Sequence, residues 1–219
     1  MKPKVEDQYY QDLLSWSELE HLLNIRPLLN QERVQLLKDP EEDKFQWNDD
    51  PWSIDNNCIP PYMLKIALDG STCYFRDMSR MTKKLNALAN ELEKEYSMSA
   101  DAHVYMCLDK DKEHPFGIHF DLSDNVIVQC EGVTNFKVWD KVEGTEKIKS
   151  MKDYERMNPY RMDIKKEPII DEILRPGDAI WIPRFHPHLA TTLEDPRLSV
   201  SFPLQMGGAL QNREWISLP

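Results

Sequence analysis

At 219 residues, 41% hydrophobic and 30% charged, the chain has the length of one ordinary domain and the composition for both a sizeable core and a solvated surface. Its 27 basic against 38 acidic residues leave a formal net charge of −11, and its densest basic pairs, Lys83-Lys84 and Lys165-Lys166, are isolated, which excludes nucleic acid as an expected partner. No apolar run approaches the roughly 20 residues that span a bilayer, and the opening MKPKVEDQYYQDLL is acidic and amidic where a signal peptide needs an apolar core, so a cytoplasmic protein with no membrane partner is expected.

Residues 12–37 read as helical, because Leu13, Leu14, Trp16, Leu19, Leu22 and Leu23 recur at three- and four-residue spacing. Ser15 or Ser17 would cap this helix, with Glu18 or Glu20 three residues further on, and Arg26-Pro27 interrupts it. Residues 39–62, rich in Asp, Asn and Pro, read as irregular surface chain. A second helix is predicted from about Met78 to Tyr96, with Met81, Leu85, Leu88, Leu92 and Tyr96 as its apolar stripe. From residue 102 the period becomes two. Strands are predicted at His103–Leu108, Asn125–Cys130, Asn135–Trp139, Ile173–Leu174, Ala179–Ile182 and Arg197–Pro203, with turns at Glu131-Gly132 and Glu194-Asp195-Pro196 among others. Helices followed by strands predict an α+β, mainly β chain: a helical buttress with an irregular segment over 1–100, packed as one structural domain on an antiparallel sandwich or barrel over 101–219. The four cysteines, Cys58, Cys73, Cys107 and Cys130, are too scattered for a zinc cage and read as buried thiols.

Three segments of the β-rich part carry chemistry. His119-Phe120-Asp121 places an imidazole and a carboxylate on one face of a strand, since residues i and i+2 point the same way. Leu174 to His188 runs from a Pro-Gly-Asp turn through an apolar strand to Pro183 and then to His186 and His188. Two neutral imidazoles and one carboxylate form a facial triad that leaves about three positions open on octahedral Fe(II); catalytic zinc is the competing metal. Arg197 and Ser199, again i and i+2, would project together from a strand beside the metal as a carboxylate clamp, with surface pairing of Arg197 to Glu194 or Asp195 as the alternative. His114, in Glu113-His114-Pro115, reads as an exposed loop residue rather than a base, with the substrate entrance as its other possible place.

The stretch Gly117 to Trp139, with its His-x-Asp, Gln-x-x-Gly and Trp-ended strand, continues to the Pro-Gly-Asp turn and Ile-Pro strand of 174–188. It resembles the JmjC and cupin-like oxygenases, nearest to the bacterial cupin group that includes ribosomal oxygenases. That resemblance implies a double-stranded β-helix (a jelly roll) buttressed by N-terminal helices. It implies His119, Asp121 and His188 as iron ligands, with His186 the competitor of His188. Tyr105 is similar to a family tyrosine that contacts 2-oxoglutarate, and Asn125 matches a position near the oxo acid. Where the family usually has Lys or Arg, fifteen residues after the first metal histidine, this chain has Thr134. Arg197-x-Ser199 resembles instead the clamp of prolyl hydroxylases, with Thr134 hydrogen-bonding alongside. The chain stops soon after Trp215, where ribosomal oxygenases continue into helical dimerisation and winged-helix parts, which weakens the protein-substrate assignment of those relatives.

The expected function is thus an Fe(II)- and 2-oxoglutarate-dependent hydroxylase that uses O2, acts on a C–H of a peptide or protein side chain or a small molecule, and releases succinate and CO2. A monomer or homodimer is expected. The alternatives are a non-catalytic cupin or JmjC-like binding module and a metal-dependent cupin enzyme that does not use 2-oxoglutarate.

Overall fold

Alternation of apolar and polar residues continues through nearly the whole second half of the chain, and it builds two unusually long strands. A computed structural model describes residues 4–6, 10, 12–23, 34–37, 72–111 and 113–205. In chain order the elements are β1 (Lys4–Glu6), α1 (Trp16–Leu23), β2 (Val34–Leu37), β3 (Thr72–Phe75), α2 (Lys83–Tyr96), β4 (Ser99–Ala100), β5 (His103–Cys107), β6 (Asp124–Val138), α3 (Met151–Arg156), β7 (Ile170–Leu174), β8 (Asp178–Ile182) and β9 (His188–Gln205). The described strands form one sheet in the order β1-β8-β6-β9-β5-β3-β2, with β4 also on β9 and β7 also on β6. All pairings are antiparallel.

The period of two sorts side chains onto two faces. Val104 and Met106 of β5, Val128 and Cys130 of β6, and Leu198, Val200 and Phe202 of β9 join the buried Leu19, Leu22, Leu85, Leu88 and Ala89 of the two helices in one core. Each such leucine contributes roughly 1.5–3 kcal/mol by leaving water. The residues between them, Tyr105, Asn125, Ile127, Arg197, Ser199 and Ser201, line a cleft on the other face. The helices therefore buttress the outside of a β-roll whose inside is part polar. Its apolar inner part is Ile127, Phe136, Val138, Leu174, Ile180, Ile182 and Ala190.

Both helices begin where a side chain replaces the missing backbone acceptors. Ser15 Oγ accepts the Glu18 N–H at 3.2 Å, and Glu18 Oε2 accepts the Ser15 N–H at 2.9 Å, a reciprocal cap. Thr82 Oγ1 accepts the Leu85 N–H at 3.1 Å. The second helix thus starts at Lys83 rather than near Met78, whose side chain is already in the core and whose N–H bonds to Ala102 O at 2.9 Å. The first helix is described over Trp16–Leu23, and Val34–Leu37, expected to be helical, is a strand on β3; cross-strand pairing overrides the weak local preference of four residues. The strand Lys4–Glu6 on β8 also lies in the part expected to be helical. The expected irregular segment 39–62 and Cys58 lie outside the described residues, while Cys73, Cys107 and Cys130 are buried free thiols.

The two strands predicted at 125–130 and 135–139 are one strand, β6, and the residues expected to turn at 131–132 form an irregular stretch within it. Gly132 explains why. Its φ is +68°, and a Cβ there would stand 2.5 Å from Glu194 O and 2.6 Å from Pro196 O, so the backbones meet too closely for any side chain. The Glu194–Pro196 segment, expected as a turn, likewise continues β9. No helix among the described residues is long and apolar enough to cross a membrane.

Candidate metal centre

His119 and His188 face each other as an antiparallel bridge: His119 N–H donates to His188 O at 3.1 Å, and His188 N–H to His119 O at 2.8 Å. Their ring centroids are 4.3 Å apart. Asp121, two residues on from His119, brings its carboxylate to the same point, with Oδ2 at 3.7 Å from His188 Nε2. One ligand atom from each of the three lies within 4.8 Å of the others.

The backbone fixes which nitrogen each imidazole offers. His119 Nδ1 lies 2.9 Å from Gly117 O, and His188 Nδ1 lies 3.0 Å from His186 O. A carbonyl only accepts, so both Nδ1 atoms carry the proton and both Nε2 lone pairs are free. Burial, reinforced by the neighbouring His188, pushes the His119 pKa down to about 4 despite Asp121, so the ring is neutral at ordinary pH. Asn125 Nδ2 donates to Asp121 Oδ2 at 2.8 Å, and Ser201 Oγ donates to Asn125 Oδ1 at 3.3 Å. Asn125, expected near the oxo acid, thus also holds the acid of the triad. His186 is half-buried, with Nδ1 against Arg184 O at 3.2 Å, and is not part of the three-residue group.

The cleft beside these residues is lined by Tyr105, Arg197, Ser199, Ser201 and the triad, with Ile127, Phe136 and Ala190 as apolar walls. Arg197 is 2% exposed, and its Nε has no hydrogen-bond partner among the described residues. Glu194 and Asp195, its alternative surface partners, are exposed, and no carboxylate pairs with Arg197 among the described residues. Burial works against its charge and lowers its pKa. Register places Arg197 opposite Cys107 and Ser199 opposite Tyr105, so the three polar side chains share one stretch of sheet. The Tyr105 phenol is pushed well above its ordinary pKa by burial first and by the neighbouring Tyr74 and Asp121, so it remains an O–H donor.

Thr134 is fully buried, and its Oγ1 lacks a partner among the described residues. It stands two residues from the cleft-lining Phe136, while Lys137 falls on the other face of β6. Thr192, paired with Thr134 across the strands, is buried with an equally unpartnered Oγ1. Thr192 was not anticipated from sequence, although the alternation His188, Ala190, Thr192 points to it. His114 is not the exposed loop residue first expected but falls on the side of the second place the sequence left open: it is 7% exposed, lines the cleft, and stacks on His119 with centroids 5.3 Å apart at 25°. Its N–H pairs with Ala190 O at 2.8 Å, which draws the loop onto β9. Burial first, then His119, Arg197 and His188, hold its pKa well below the ordinary value.

Two imidazole nitrogens and a carboxylate suit a divalent metal with open positions. The buried guanidinium without a carboxylate partner suits a bound anion, because leaving it unmatched costs several kcal/mol. The residues present therefore fit both a metal and an anionic co-substrate.

Comparison with known proteins gives the same architecture. The chain is similar to YcfD of Escherichia coli, with a TM-score of 0.60, 18% identity, and coverage of 94% of this chain and 50% of that one. A second structure of YcfD, a ribosomal oxygenase, in complex with cobalt and 2-oxoglutarate also aligns with a TM-score of 0.60 at 18% identity, covering 94% and 48%. At that identity the likeness concerns the fold. In sequence the chain is 21% identical over 194 residues to the bifunctional lysine-specific demethylase and histidyl-hydroxylase NO66 of Drosophila sechellia, covering 87% of this chain and 28% of that protein. The Drosophila willistoni protein of the same name is 24% identical over 138 residues, covering 63% and 17%. The chain thus spans about half the length of the solved relatives and under a third of the NO66 proteins. The JmjC domain matches residues 78–211, more than half of the chain and the part that holds His119, Asp121, His188 and Arg197, and on that match the chain belongs to the JmjC-domain family.

Proposed function

We propose that the chain is an Fe(II)- and 2-oxoglutarate-dependent dioxygenase that hydroxylates a C–H of a peptide or protein side chain and works in the cytoplasm. The observation that carries this reading is Arg197, a guanidinium at 2% exposure in the metal cleft without a carboxylate partner among the described residues. A binding module or a metal-only enzyme has no need of that charge. A dicarboxylate does. The relatives named for histidyl hydroxylation and for ribosomal oxygenation support a protein side chain as substrate.

His119, Asp121 and His188 would hold the metal through Nε2, a carboxylate oxygen and Nε2. Iron with 2-oxoglutarate and O2 supplies oxidation of a C–H bond, with succinate and CO2 as co-products. Arg197 binds the far carboxylate of the oxo acid, with hydroxyls of Ser199, Thr134 and Tyr105 around it. Asn125 keeps the Asp121 carboxylate turned toward the imidazoles. Ile127, Phe136 and Ala190 exclude water from the walls of the cleft, which strengthens every charged contact inside it.

The test is conversion of 2-oxoglutarate to succinate by the protein with Fe(II) and ascorbate, first without any other substrate. His119→Ala and Asp121→Ala should each abolish turnover while circular dichroism stays native. His186→Ala should remain active. Turnover at wild-type level in either triad variant would remove the reading.

A further inference from the structure

His114 is the buried polar residue of the cleft that neither the triad nor the clamp accounts for. Its segment is fixed at both ends: Glu113 bridges Thr191, and Gly117 N–H donates to His114 O at 2.8 Å. The Phe116 N–H donates to His114 Nδ1 at 3.3 Å, so that nitrogen is an acceptor and the proton of the neutral ring sits on Nε2. A ring in this tautomer is neither a metal ligand nor a base at Nε2. It is a donor. The imidazole lines the cleft beside the triad, with His119 stacked on it at 5.3 Å and Tyr105 edge-on at 5.6 Å. The triad, His114 and Arg197 all line one cleft. At 7% exposure the ring is largely buried, and no acceptor for Nε2 is found among the described residues.

We propose that His114 is a further co-substrate-binding residue, whose Nε2–H donates a hydrogen bond to a carboxylate of the oxo acid held between the metal and Arg197. This rests on the reading of the site as an oxo-acid-dependent one. It adds a neutral, backbone-locked donor to the charged clamp, and it explains why a histidine with a buried backbone pairing occupies the loop before the triad.

The experiment is anaerobic titration of the Fe(II)-loaded protein with 2-oxoglutarate, followed by the visible charge-transfer band of the chelate and by calorimetry. Fe(II) affinity is measured separately by competition with a chromophoric chelator. His114→Phe keeps the ring stacking but removes the donor, and should weaken 2-oxoglutarate binding by roughly tenfold or more, with Fe(II) affinity within about twofold of wild type. His114→Gln retains an N–H at a similar reach and should recover most of the loss. An unchanged 2-oxoglutarate affinity in His114→Phe, or a loss of Fe(II) affinity that matches it, overturns the proposal while the oxygenase reading stands. Absence of any 2-oxoglutarate complex in the wild-type protein overturns the oxygenase reading itself, and this proposal with it.

Discussion

Arg197 concentrates more unmet electrostatics than any other described side chain: a permanent cation, buried, with an unpartnered Nε. Its truncation to alanine should raise the apparent 2-oxoglutarate constant by about 10²-fold, corresponding to about 3 kcal/mol of lost charged pairing, with Fe(II) affinity little changed. Arg197→Lys should rescue only in part, because an ammonium lacks the planar fork. A Lys137→Ala variant that loses 2-oxoglutarate while Arg197→Ala keeps it would move the clamp to the opposite face of β6. A second outcome at this scale follows from His119. Its folded pKa of about 4 lies below the ordinary 6.5, so between those values the unfolded chain takes a proton that the folded chain refuses. The metal-free protein is therefore stabilised by this residue above about pH 6.5 and loses that contribution as the pH falls toward 4. Urea unfolding of metal-free protein at pH 7 and pH 5 should show the drop, and His119→Asn should flatten it.

At the scale of elements, the junction of β6 and β9 depends on one missing side chain. Gly132→Ala places a Cβ against two carbonyl oxygens at a positive φ, and should destabilise by about 2 kcal/mol or more, read as a lower midpoint in urea with an unchanged slope. Ser15→Ala removes one half of the reciprocal cap of α1 and should cost about 1 kcal/mol. The cap was legible in the sequence because its signal is local: a serine, a glutamate three residues on, and leucines at helical spacing. Gly132 was legible as a break but not as a bulge. A turn and a bulge use the same glycine conformation, and only the approach of Glu194 and Pro196 from a distant part of the chain tells them apart. The strand Val34–Leu37 was not legible for the same reason, since four residues carry too little pattern without their partner β3.

At the scale of the molecule, the grouping of His119 with Asp121 could be read from spacing, because residues i and i+2 of an extended segment point the same way, although the segment holds only an isolated bridge at His119 and no strand. Their convergence was legible because the motifs are few and chemically specific. Thr192 and His114 escaped because their burial is set by register: Thr192 by its position opposite Thr134, His114 by its pairing with Ala190. Charge is a property of the whole chain as well. With a net of −11, the protein should give no salt-sensitive shift of duplex DNA or RNA at micromolar concentration near physiological ionic strength, and a shift that weakens with added salt would contradict the reading of its surface.

The two-way bridge between His119 and His188 links two parts of the chain that are far apart in sequence but share a pair of backbone hydrogen bonds at the candidate metal centre. An ion bound there acts as a rivet across that seam. It closes the long excursion of chain between the two histidines, and opening the seam would require giving up the ion as well as the two hydrogen bonds. The exchange of the His119 and His188 amide protons with deuterium should therefore slow together when Fe(II) or Mn(II) is added, and accelerate together under a chelator. Occupancy of the centre would then be recorded in the mechanical integrity of the roll, and the protein stripped of its metal would be looser at the mouth of the cleft before any chemistry is lost.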